Sequence, residues 1–246
     1  MATLTTLSAD TTPQNRAVRS SVTKKFAMSV TGLVLVAFLL MHMFGNLKLL
    51  ISGEDFDAYA HALRHLLEPV LPPYFFLTCF RLVIAACVIV HFVMALHLSI
   101  RDSVRHAHSA GLTVRRYTKR RYLEGSFVAR TMIWSGIIIL LFIPFHLLMF
   151  TDQIIKIGYS DPATPSHMRV VLAFQNWGIY AIYFIAMLCI ALHVWHGFYS
   201  AFCTLGWRVG YSSTVVIKAC AWIVSFLVFF GFMLVPTLIA IGVINS

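Results

Sequence analysis

Apolar and polar positions in this chain alternate over blocks much longer than a helical turn. Five stretches, at about 26–50, 74–100, 128–151, 171–202 and 214–243, are almost continuously apolar, and the segments between them carry nearly all of the charge. A helix rises about 1.5 Å per residue, so ~20 apolar residues cross the hydrocarbon core of a bilayer. Every stretch is long enough, and none shows the two-residue alternation of a barrel strand. The pattern predicts an all-α membrane protein with five transmembrane helices over residues 26–246, preceded by a polar tail at 1–25. Pro144 and Pro236 fall inside apolar stretches, where neighbouring helices in a membrane can satisfy the freed backbone groups.

The polar segments orient the chain. If the N-terminus is inside, the inner segments hold fourteen of the nineteen lysines and arginines, among them Lys24, Lys25, Arg101, Arg105, Arg130 and Arg208. The outer ones hold Lys48, Arg64, Arg81, Lys156 and Arg169. The positive-inside bias therefore places the N-terminus in the cytoplasm and the C-terminus outside. Segment 51–73 predicts a short helix lying at the outer interface. Segment 101–127, the most basic part, reads as either a solvated loop or a docking surface for a soluble partner. Segment 152–170, with Pro162 and Pro165, reads as a loop. Residues 1–21 are Thr/Ser-rich without an apolar core and do not read as a secretory signal.

Composition agrees with lipid as the main solvent. The chain is 59% hydrophobic and 11% charged, against about 25% charged in soluble domains. Its net charge of +10 follows from the topology and needs no nucleic-acid partner. Five cysteines form no CxxC pair and read as small packing residues. No carboxylate lies deep in any stretch, which argues against a proton or cation pump built on intramembrane acids.

The candidate chemistry is histidine. His42, His91, His146 and His193 stand one in each of the first four stretches, and an ionisable ring in hydrocarbon marks a functional position. His42 precedes Lys48 by six residues and His146 precedes Asp152 by six, which puts both rings ~9 Å inside the outer boundary. His91 precedes Arg101 by ten residues and His193 precedes Cys203 by ten, a comparable level ~15 Å from the inner boundary. Two rings at each level can grip a planar metal group from both faces, and two axial histidines on haem iron favour electron transfer over oxygen binding. His97 and His196 share a shallower inner level, so spacing leaves open which two rings form the inner pair. Gly32 precedes His42 by ten residues, and Gly136 precedes His146 by ten. Each glycine therefore falls near the other level, where a missing side chain admits either a porphyrin edge or close helix packing.

The residues carrying these features stand in a recognisable order. They are Ser29-x-x-Gly32, Met41-His42-Met43-Phe44-Gly45-Asn46-Leu47, Tyr59-Ala60, His91, Ser135-Gly136, Phe145-His146 and His193-x-x-His196-Gly197-x-x-Ser200-Ala201-Phe202-x-x-Leu205-Gly206. Over about residues 24–243 the chain resembles the cytochrome b subunit, the membrane anchor, of bacterial succinate dehydrogenases and fumarate reductases. The likeness is to the single-chain, five-helix, two-haem b558 type. The resemblance implies that the first four helices form a haem-binding bundle, with an outer haem b on His42 and His146 and an inner one on His91 and His193. Ser29, Gly32, Arg130, Ser135, Gly136, His97 and His196 are the further residues expected at the cofactors. It also implies a flavoprotein subunit with FAD and an iron–sulfur subunit on the cytoplasmic side of a bacterial inner membrane. This chain then passes their electrons to a quinone, menaquinone above all, and supplies no residue to succinate chemistry. Some relatives carry a glutamate where this chain has Ala191, others one early in the second helix, where it has Phe80 and Arg81. A carboxylate proton path is not expected here. The alternatives are the cytochrome b of a hydrogenase or formate dehydrogenase, and a haem-free anchor or transporter.

Overall fold

The computed structural model describes residues 20–111 and 126–245, of which 102–111 and 126–130 are described by their backbone alone. Among these residues seven α-helices follow one another: α1 Ser21–Leu47, α2 Gly53–Arg64, α3 Phe75–Gly111, α4 Ser126–Phe150, α5 Ser166–Phe174, α6 Trp177–Thr204 and α7 Tyr211–Ala240. A 3₁₀ turn, Lys48–Leu50, links α1 to α2. There is no strand among the described residues. Helices α1, α3, α4, α6 and α7 are each long and apolar enough to cross a membrane, and the chain is a multi-pass membrane protein. Large apolar side chains stay exposed within the spans, including Leu82, Trp134, Leu141 and Trp222. Lipid is the solvent that such a girdle requires.

Local chemistry sets the helix ends. Ser20 Oγ accepts the Val22 N–H at 3.2 Å, so α1 starts at Ser21, five residues before the apolar stretch does. Ser52 Oγ accepts the Asp55 N–H at 3.0 Å, and Glu54 and Asp55 occupy the first turn of α2, complementing its positive end. Helix α3 runs on past Arg101 to Gly111, into the segment expected to be a loop. Its sequence lacks proline and reaches glycine only at Gly111, and hydropathy marks where a membrane ends, not where a helix does. The rest of the basic segment, and the tail before Ser20, lie outside the described residues, as does the docking role expected there. Helices α6 and α7 end alike: Gly206 (φ 84°) and Gly242 (φ 79°) take the left-handed position. Trp207 and Val243 donate back to the carbonyls of Phe202 (3.1 Å) and Leu238 (2.8 Å). This is a Schellman closure, which glycine permits without strain.

One expected boundary is wrong. The apolar stretch at 171–202 is not one helix but the end of α5 followed by α6. Asn176 separates them, with extended ψ of 112° and its side chain accepting from Gly178 and Ile179. Asparagine competes for backbone hydrogen bonds, so it starts a helix where hydropathy sees none. Helix α5 also occupies part of the segment expected to be a plain loop. It is held from outside: Asp57 of α2 accepts the His167 N–H at 3.0 Å and the His167 Nδ1–H at 2.7 Å. Pro165 makes no side-chain cap for α5, so Asp57 does that work from another helix. Asp57→Ala is expected to lower stability by about 1–2 kcal/mol, the scale of a lost cap or charged hydrogen bond. Thermal unfolding in detergent measures it. Asp57→Asn, still able to accept from the His167 N–H, should lose less, and equal losses in the two variants would refute the capping role.

Helix α6 is central, packing on α1, α4, α5 and α7. It contributes Ile179, Tyr183, Ala186, Met187, Ile190 and Val194 to the core, to which α4, α5 and α7 add. Helix α3 packs mainly on α1 and has no fully buried side chain among those described. Helices α3 and α4 have no extended backbone contact among the described residues, so the four-helix ring is open on that side. The fifth span is no appendage to the other four. Ser225 Oγ of α7 donates to the Ala191 carbonyl of α6 at 2.7 Å, and Gly231 makes room for the Met43 side chain of α1.

Candidate functional site

Antiparallel packing brings the expected histidines into two diagonal pairs. His42 of α1 faces His146 of α4 with ring centroids 5.8 Å apart and planes at 80°. His91 of α3 faces His193 of α6 at 6.2 Å and 61°. Thus α1 and α4 supply one pair, and α3 and α6 the other. His97, exposed, and His196, half-buried, make no pair with each other. The ten-residue spacing explains the two levels: a Cβ on Gly32 would lie 3.0 Å from His91 Cε1, and one on Gly136 3.6 Å from His193 Cε1. Each glycine, one helical segment below its own outer histidine, thus faces an inner one. The pairs are therefore ~15 Å apart along α1 and α4.

Three of the four rings are oriented through Nδ1 by a neighbouring helix. His91 Nδ1 donates to the Met28 carbonyl of α1 at 3.0 Å, with Thr31 Oγ1 beside it at 3.4 Å. Ser135 Oγ of α4 stands 3.1 Å from His193 Nδ1. Its own proton goes to the Met132 carbonyl at 3.0 Å, so the serine oxygen accepts from His193. His146 Nδ1 meets Tyr183 Oη of α6 at 3.1 Å. His42 has no hydrogen bond among the described residues; it stacks on Phe38 at 5.5 Å and lies 5.6 Å from Phe232 of α7. Ser29, buried, donates to the Lys25 carbonyl at 2.9 Å and touches none of the four rings by hydrogen bond. The Arg130 side chain lies outside the described residues. Phe80 packs 5.9 Å from Phe38, so the start of α3 brings an aromatic ring towards the His42 level.

This geometry suits a metal bound between each pair. Two imidazoles at ~2 Å from a shared metal, each ring centre roughly 1 Å beyond its nitrogen, stand about 6 Å apart. Nδ1–H bonds to a carbonyl, a serine and a tyrosine leave Nε2 as the free lone pair, and such outer partners are the ordinary support of a metal-bound histidine. Among the described residues no group of three or more histidine, cysteine or acidic side chains could hold a metal ion. Each pair supplies two ligands only, so a metal held there would need its remaining ligands from the bound group itself.

Comparison with models of known families, with curated proteins and with solved structures finds no match.

Sequence reasoning missed Tyr183. A tyrosine in an apolar stretch reads as packing, and its spacing to His193 carries no signal. The relation to His146 exists only across the α4–α6 contact.

Proposed function

We propose that this chain is a dihaem cytochrome b, the membrane anchor and electron outlet of a succinate dehydrogenase-type complex. The observation that supports it is the pair of diagonal histidine couples, 5.8 and 6.2 Å across, at two levels of one helical bundle. Haem b would be held there by His42 with His146 and by His91 with His193, and would supply single-electron exchange. The residues of the chain do the rest. Met28, Ser135 and Tyr183 hold three imidazoles in the tautomer that presents Nε2. Phe38, Phe142, Phe150 and Phe232 surround the outer pair with apolar rings and keep water from it. Gly32 and Gly136 leave the space beside the inner pair.

In this reading the basic end of the bundle is cytoplasmic, in a bacterial inner membrane, and docks an iron–sulfur protein that in turn holds a flavoprotein with FAD. The groups held by His91 with His193 and by His42 with His146 would carry electrons from the iron–sulfur protein to a quinone, menaquinone by preference. Ala191, at the place where some relatives carry glutamate, is buried with its carbonyl bonded to Ser225, and offers no proton carrier. The test is gentle purification followed by a pyridine haemochrome assay. Two haems per chain and a co-purifying succinate-type flavoprotein are expected. A haem-free chain would end the reading, and hydrogenase or formate dehydrogenase subunits would move it to another oxidoreductase.

A further inference from the structure

We propose that Tyr183 is a positioning residue that sets the reduction potential at the His42–His146 site, acting through His146 Nδ1. The inference rests on the dihaem reading and adds to it an asymmetry between the two sites.

Tyr183 is 6% exposed and sits in an aromatic cage. Its ring lies 4.9 Å from Phe142 and from Phe174, 6.1 Å from Phe150 and 6.3 Å from Phe145. A hydroxyl in such a cage is costly unless it is bonded. Its partners are His146 Nδ1 at 3.1 Å and, as acceptor of the hydroxyl proton, Met149 Sδ at 3.8 Å. A phenylalanine would fill the same cage without that cost, so packing alone does not explain the tyrosine.

The direction of the bond follows from proton counting. An imidazole that presents Nε2 to a metal keeps its proton on Nδ1. The tyrosine oxygen must then accept that proton, which is why its own points to the sulfur. A hydrogen-bond acceptor on Nδ1–H makes the ring a stronger donor to the metal, and a stronger axial donor favours the oxidised state and lowers the potential. The other ring of this pair, His42, has no hydrogen-bond partner among the described residues and packs against Phe38 and Phe232. At the second site both rings have acceptors, the Met28 carbonyl and Ser135 Oγ. The tuning of the outer site through ring hydrogen bonds therefore runs through one hydroxyl.

The experiment is redox titration of the purified complex, followed by optical spectroscopy, for wild type, Tyr183→Phe and Ser135→Ala. His146→Ala serves to mark which spectral component belongs to the outer site. In Tyr183→Phe both haems are expected to be retained. The component that His146→Ala removes should rise in potential by about a tenfold shift in its redox equilibrium, ~59 mV for one electron. The other component should stay in place, and Ser135→Ala should move that one instead. Unchanged potentials in Tyr183→Phe, or equal shifts of both components, would overturn the proposal. Loss of the outer haem from Tyr183→Phe would also overturn it, by making the hydroxyl a group that holds the ligand and does not tune it. Wild-type protein without haem would instead show in the first assay, before any variant is compared, that the dihaem reading itself has failed.

Discussion

Alanine at position 91 or 193 is expected to leave one haem per chain in place of two, with the remaining component spectrally intact. The two rings face each other at 6.2 Å, so removing either takes away half of the axial ligand set at that level. The other couple is ~15 Å away along α1 and α4 and shares no ligand with it. Alanine at 42 or 146 should remove the other component. Alanine at 97 should keep both haems, because that side chain is exposed. The pyridine haemochrome assay with low-temperature difference spectra measures this. A chain that loses a haem on His97→Ala and keeps both on His91→Ala would show that the inner couple is wrong.

Collapsing the membrane potential is expected to slow succinate oxidation by menaquinone several-fold in sealed vesicles of native polarity. The two couples differ in depth by ~15 Å of a hydrocarbon core about 30 Å thick. An electron carried outward between them therefore crosses roughly half of the potential. A full crossing is worth ~2.3 kcal/mol per charge per 100 mV, so half is about 1 kcal/mol per electron. In the proposed function and orientation, the electron would move from the negative interior to the positive side, the favourable direction. No acidic side chain lies deep in the spans to carry a compensating proton, and buried Ala191 has no ionisable group to offer one. Succinate-to-menaquinone activity is followed before and after an ionophore is added. Activity that does not fall would count against the coupling, as would a quinone bound beside His91 and His193.

Much of this architecture is determined by local properties of the sequence. Hydropathy and a rise of about 1.5 Å per residue act along one helix at a time, and the bilayer supplies a fixed frame of depth. The five spans, their alternating direction and the two histidine levels follow from that alone. The fourth span shows the limit of hydropathy: Asn176 divides α5 from α6 through a side-chain hydrogen bond that an apolarity profile does not contain.

What only the tertiary structure decided is rotation about the helix axes. At 3.6 residues per turn, His97 lies roughly 240° round α3 from His91, so the two rings point to different sides. In water the apolar face of a helix would reveal which side is interior. In lipid both faces are apolar, and that signal is lost. Spacing therefore leaves His91 with His193 and His97 with His196 both open, and only the family resemblance favours the first couple; the packing of α3 on α1 and of α6 on α4 brings the rings of His91 and His193 to 6.2 Å. The same is true of Tyr183, which meets His146 across two helices, and of Asp57, which caps α5 from α2. Each is a pairing of residues far apart in sequence, and one strand of sequence carries no record of which distant surface a side chain will meet.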